Sequence, residues 1–142
     1  MKTLICTLML TWLSICAADA QGMKPFDPAK FQADLEQFIT VEACLTPSEA
    51  AAFFPLYREM TKKQRALYDQ MREGRRVRPD SEEAAKKAIA EYDRIEIEIK
   101  QLQANYHARF IGIITARKLY NVIKAEGKFH RMAMRKAVPP RR

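Results

Sequence analysis

The sequence predicts an all-α protein of four helices. Three observations carry this. Apolar residues recur at steps of 3 and 4 through most of the chain. Ser, Thr or Asp precedes each periodic segment, twice followed by Pro. Gly is rare, at 4 of 142 residues. With 48% hydrophobic and 30% charged residues, the chain is too apolar for a disordered segment and too complex for a linker.

The first twenty residues read as an address. Met1-Lys2 is a short positive start, Leu4 to Cys16 an uncharged apolar run, and Ala18-Asp19-Ala20 a small-x-small cleavage pattern. The run has thirteen residues, whereas a membrane span needs about 20. Residues 1–20 are expected to be a secretory signal peptide cleaved after Ala20. The rival reading, a lipoprotein modified at Cys16, places Ile15 where a small residue is expected. Removal leaves 24 basic and 16 acidic groups, so the net charge stays at +8, and Cys44 becomes the single thiol. Its apolar neighbours Val41, Ala43 and Leu45 predict a buried side chain. Export argues against nucleic acid as the partner of a positive chain.

The domain is expected to span residues 21–137, with 138–142 (Val-Pro-Pro-Arg-Arg) a tail that cannot continue a helix. Asp27-Pro28 opens the first helix, which carries Phe31, Leu35, Phe38 and Ile39 to about Ala43. Thr46-Pro47-Ser48-Glu49 opens the second as a capping box. Phe53, Tyr57, Met60, Gln64, Leu67 and Met71 then follow at steps of 3 and 4, with Pro55 a predicted bend and Gly74 a predicted stop. Asp80 or Ser81 starts the third helix, whose Ala85, Ala88, Tyr92, Ile95, Ile99, Leu102 and Tyr106 form a seam of period 3.5. A break falls at Gly112 to Thr115. Thr115 caps a fourth helix, expected to place Leu119, Tyr120, Ile123, Gly127, His130 and Met134 on one apolar face. A helix over 81–112 would be about 48 Å long, against a radius of gyration of roughly 14 Å for a compact chain of this length. The expectation is a long antiparallel hairpin with flanking helices, elongated and homodimeric.

The segments Leu45-Thr46-Pro47-Ser48-Glu49 and Ile114-Thr115-Ala116-Arg117-Lys118, placed after an export signal, resemble the Spy/CpxP-type periplasmic proteins, a group named for two LTxxQ motifs. The run Ala125-Glu126-Gly127-Lys128-Phe129-His130-Arg131 resembles the tail of small exported stress and metal sensors. The resemblance covers most of residues 28–136. Glu49 and Lys118 stand where the motif has Gln, and Ile114 where it has Leu. It implies a periplasmic location and one of three roles: ATP-independent chaperone, regulatory partner of a membrane sensor or anti-sigma system, or metal-responsive protein. Leu45, Thr46, Glu49, Ile114 and Thr115, which carry it, are explained by helix capping.

Charge is divided unevenly. Residues 21–99 hold 13 basic and 15 acidic groups, residues 100–142 hold 11 basic groups and the single acid Glu126. Arg117, Lys124, Lys128, Arg131 and Arg135 recur at steps of 7, 4, 3 and 4, one basic stripe on the fourth helix. Its expected partners are unfolded or acidic protein chains, an acidic sensor domain or, secondarily, an anionic membrane surface; the alternative is a solvated face paired with the acidic half of a second copy. Phe53, Phe54, Tyr57, Met60 and Met71 are candidate apolar contacts for such clients, with ordinary core as their other reading. His130-x-Met132-x-Met134, with His107 and Cys44 elsewhere, offers soft ligands, but Met132 falls off the face of His130 and Met134, and arginines interleave. No metal, cofactor or enzymatic activity is expected: there is no phosphate loop, nucleophile elbow or carboxylate pair.

Overall fold

The computed structural model describes residues 26–137. Four helices follow in order: α1 (Pro28–Glu42), α2 (Pro47–Gly74), α3 (Glu82–Ile111) and α4 (Ala116–Ala137). The chain is all-α, with no strand among the described residues. The expected signal peptide and the tail lie outside them.

Each helix starts where a side chain satisfies its orphan N–H groups. Asp27 accepts from the amides of Ala29 and Lys30, and Ser81 from that of Ala84. Thr46 and Glu49 form the reciprocal capping box: Glu49 N–H donates to Thr46 Oγ1 at 3.3 Å and Thr46 N–H to Glu49 Oε2 at 2.8 Å. Thr115 Oγ1 accepts from Lys118 N–H at 3.3 Å. α2 runs through Pro55 without interruption of its helical assignment and ends at Gly74, which is not in the left-handed region.

The end of α1 corrects one expectation. Cys44 is exposed, not buried, and has φ 50°, the only positive φ of a non-glycine among the described residues. The amide of Cys44 donates to Val41 O and that of Leu45 to Thr40 O. These are the two bonds of a Schellman motif, with Cys44 at the position glycine normally holds. The turn sends Ala43 and Leu45 inward and the residue between them outward.

α2 and α3 form a long hairpin, and α1 and α4 pack together over its base. The main core joins Leu35 and Ile39 of α1, Phe53, Phe54, Tyr57 and Met60 of α2, Tyr106 and Phe110 of α3, Ile114, and Leu119, Val122 and Ala125 of α4. Phe129 wedges between Phe31 (ring centroids 5.2 Å) and Phe38 (5.6 Å), tying α4 to α1. Toward the far end the hairpin keeps only a small separate cluster of Met71, Ile95 and Ile99, with Leu67 and Tyr92 half-buried. Ala88, expected on the α3 seam, is exposed there.

α4 brings a second correction. Its buried face is Leu119, Val122 and Ala125, with Phe129 partly covered; Tyr120, Ile123, His130 and Met134 face outward. The helix carries two apolar stripes. The one chosen brings the bulky Val122 and Phe129 against the core. It also lets Lys118 reach Glu49 and Glu126 reach Tyr57.

Candidate functional site

The two motif-like segments meet. Lys118 Nζ donates to Glu49 Oε2 at 2.6 Å, both side chains being about three-quarters covered (25% and 21% exposed). Glu49 therefore caps α2 and binds the start of α4 at once. The Lys118 bond, and then the Thr46 amide, hold its carboxyl below the usual carboxylate range. Leu45 and Ile114, the first residues of the two segments, are both buried in the main core. Glu49 and Lys118, which stand at the two Gln positions of the motif, answer each other as an ion pair.

Arg117, Lys124, Lys128, Arg131 and Arg135 lie on one side of α4, within about 60° of arc at 3.6 residues per turn, and all are exposed. Lys128 is engaged: its Nζ donates to Glu42 at 2.9 Å and stands 5.4 Å above the Phe38 ring. The other four have no carboxylate within 4 Å among the described residues. Lys124 rests on the Tyr120 ring at 5.3 Å, which leaves its charge in place.

Glu126, the single acid of residues 100–142, is turned inward. Tyr57 donates its hydroxyl proton to Glu126 Oε1 at 2.7 Å. Burial and the Glu126 charge push the Tyr57 phenol far up, so it stays a donor. His130 Nε2 lies 4.0 Å from the same carboxylate. The acid that sequence proximity would assign to the basic stripe is thus committed to the core.

The apolar residues beside the stripe are not those expected. Phe53, Phe54, Tyr57, Met60 and Met71 are all buried, at most 7% exposed, and hold the fold together, which removes them as contacts for a partner. Their periodicity marked core, because α3 supplies a matching seam. The exposed apolar side chains are Tyr120 (62%), Ile123 (43%) and Met134 (68%), along one flank of the cations. Sequence reading found these residues but assigned them to packing. The signal it missed was that the neighbouring stripe, Leu119, Val122, Ala125 and Phe129, is the better core face, free of Gly and His.

A second apolar surface lies on the distal hairpin. An open groove of about 880 Å³ is bordered by Met71, Val77, Pro79, Ala88, Ile89 and Tyr92, among others. Its acids Asp69, Glu73 and Glu91 are paired with Arg72, Arg76 and Arg94. Arg75 covers the Tyr92 ring at 4.9 Å and donates to its hydroxyl at 2.8 Å.

The soft-ligand candidates do not converge. His130 lies against the Phe31 and Phe129 rings, Met132 is half-buried, Met134 is exposed, and Cys44 stands at the end of α1. No group of three or more His, Cys, Asp or Glu side chains suited to a metal occurs among the described residues. No helix among them is long and apolar enough to cross a membrane. No protein-family model, curated protein or solved structure matches the chain.

Proposed function

We propose that this is an exported, periplasmic binding protein that acts as an ATP-independent chaperone, one of the three roles the LTxxQ resemblance implies. It holds unfolded or acidic protein chains on the outward face of α4. One observation carries the reading: Arg117, Lys124, Arg131 and Arg135 are exposed without an acidic partner among the described residues, beside exposed Tyr120, Ile123 and Met134.

Charge acts first. Four cations on one ridge, screened only beyond about 10 Å at 0.1 M salt, attract acidic chains before contact. Tyr120, Ile123 and Met134 then cover apolar segments of the client weakly, by an amount set by the area removed from water. A client that folds buries those segments and loses most of the attraction. Release therefore needs no nucleotide.

The test is light scattering of a chemically denatured acidic protein diluted into buffer with and without an equimolar amount of this protein. Suppression of scattering is expected. It should weaken in high salt and on reversing Arg117, Lys124, Arg131 and Arg135 to Glu. No suppression at equimolar ratio would overturn the chaperone reading. A single stoichiometric partner recovered from envelope extract, without general suppression, would favour the regulatory role.

A further inference from the structure

The outward face of α4 has a register as well as a charge. Tyr120, Ile123, Gly127, His130 and Met134 are spaced 3, 4, 3 and 4 apart, the a and d positions of successive heptads. In that register Arg117, Lys124 and Arg131 occupy e positions in three successive heptads. The buried face of the same helix is already filled by the core, so among the described residues this seam is open apart from His130, which touches the Phe31 ring. Half-buried Gly127 lies at the seam's centre, with the Arg131 guanidinium close beside it.

We propose that this seam is a docking site for an amphipathic helix of a partner protein, one whose apolar stripe is flanked by Asp and Glu. The inference uses the cations of the reading above and names the shape of what they bind. In helix pairing the a and d residues interlock, and the flanking e and g charges select the partner. A helix with acids at those flanks meets Arg117, Lys124 and Arg131 in turn, while its apolar side chains cover Tyr120, Ile123 and Met134.

Charge also decides against a second copy of α4. Antiparallel pairing would set these three cations against their own counterparts. Parallel pairing would set Lys124 and Arg131 against Leu119 and Glu126, of which the one acid is held by Tyr57. Glu91 and Glu98 of α3 are in turn held by Arg94. The complementary acids are therefore not supplied by a second α4, and the proposal places them on the partner's helix.

The experiment uses a labelled synthetic peptide of about four heptads, with Leu at a and d and Glu at e and g, titrated with the leaderless protein and followed by fluorescence anisotropy. Equimolar, salt-sensitive binding is expected. Reversing Arg117→Glu, Lys124→Glu and Arg131→Glu should weaken it about tenfold or more. Reversing three exposed cations elsewhere, Lys62→Glu, Arg78→Glu and Lys87→Glu, changes net charge equally and should leave it nearly unchanged; circular dichroism checks that both triple variants are folded. Equal binding of a scrambled peptide of the same composition overturns the proposal, since charge alone would then suffice. So does binding to phosphatidylcholine–phosphatidylglycerol vesicles in place of the peptide. If the peptide fails to bind while scattering suppression persists, the seam is refuted and the chaperone reading stands; loss of both refutes both.

Discussion

Replacing Cys44 with glycine should stabilise the protein. Cys44 has φ 50° at the end of α1, where its amide bonds to Val41 O and the next amide to Thr40 O. An L-residue held in the left-handed region costs roughly 1–2 kcal/mol, because Cβ crowds the backbone. Glycine removes that cost but adds freedom to the unfolded chain, worth about 0.4–1 kcal/mol against it. The thiol itself offers little in return: it is exposed and makes only a long contact to Val41 O at 3.7 Å. The net gain should be about 0.5–1 kcal/mol, or a rise in Tm of about 2–4 °C for a domain of this size. The assay is thermal and urea unfolding of the form beginning at Gln21, comparing Cys44→Gly with Cys44→Ala. Alanine keeps Cβ and should be close to neutral. A lower midpoint for glycine, or an equal rise for alanine, would refute the reasoning, because the benefit would not then come from the backbone.

Five further outcomes follow. Phe53→Ala, at a position with no exposure between Phe110, Phe54 and Tyr57, should cost about 3–5 kcal/mol in urea unfolding, whereas Ile97→Ala, on an exposed face of the hairpin, should change stability by less than about 0.5 kcal/mol. Thr46→Ala should cost about 1 kcal/mol through loss of the α2 cap, and Glu49→Lys with Lys118→Glu should be more stable than the sum of the single changes predicts, read from a double-mutant cycle; strict additivity would mean the two groups do not interact. The Glu36 carboxyl is pushed up by burial, but bonds from Arg58 and Gln32 outweigh this and hold it below its ordinary value; Glu59 beside Lys63 and Glu91 beside Arg94 are lowered as well. A lowered folded value means stability that is present above the unfolded carboxylate range of about 4.3 and is lost as pH falls through the folded values. The urea midpoint should therefore fall on acidification below about pH 5, and Glu36→Gln should make that fall shallower; a flat profile to pH about 3 would contradict it. Finally, Cys44 should react with an aromatic disulfide reagent in the native protein without denaturant, and protection there would contradict its exposure.

Local rules were legible without coordinates wherever the chemistry is short-range. The caps at Asp27, Thr46, Ser81 and Thr115 are read from neighbouring residues, since each side chain reaches an amide two or three positions away. The α2 and α3 seams are read from periodicity, since each helix has one broad apolar face. Cys44 misled for the opposite reason: its apolar neighbours predicted burial, but a turn alternates inward and outward within three residues. On α4 the periodicity was ambiguous, because two stripes about 120° apart are both apolar.

By itself, then, the amino-acid order determined the four helices, their starts and the clustering of positive charge on the last of them. The tertiary structure decided which stripe of α4 is covered, that Phe53, Phe54, Tyr57, Met60 and Met71 are core, and that Glu126 serves Tyr57 and not its basic neighbours. The physical reason is range. Caps and periodicity act within one or two helical turns, whereas burial of a face and the partner of a charge depend on elements tens of residues away, such as Glu49 and Lys118, which are 69 positions apart.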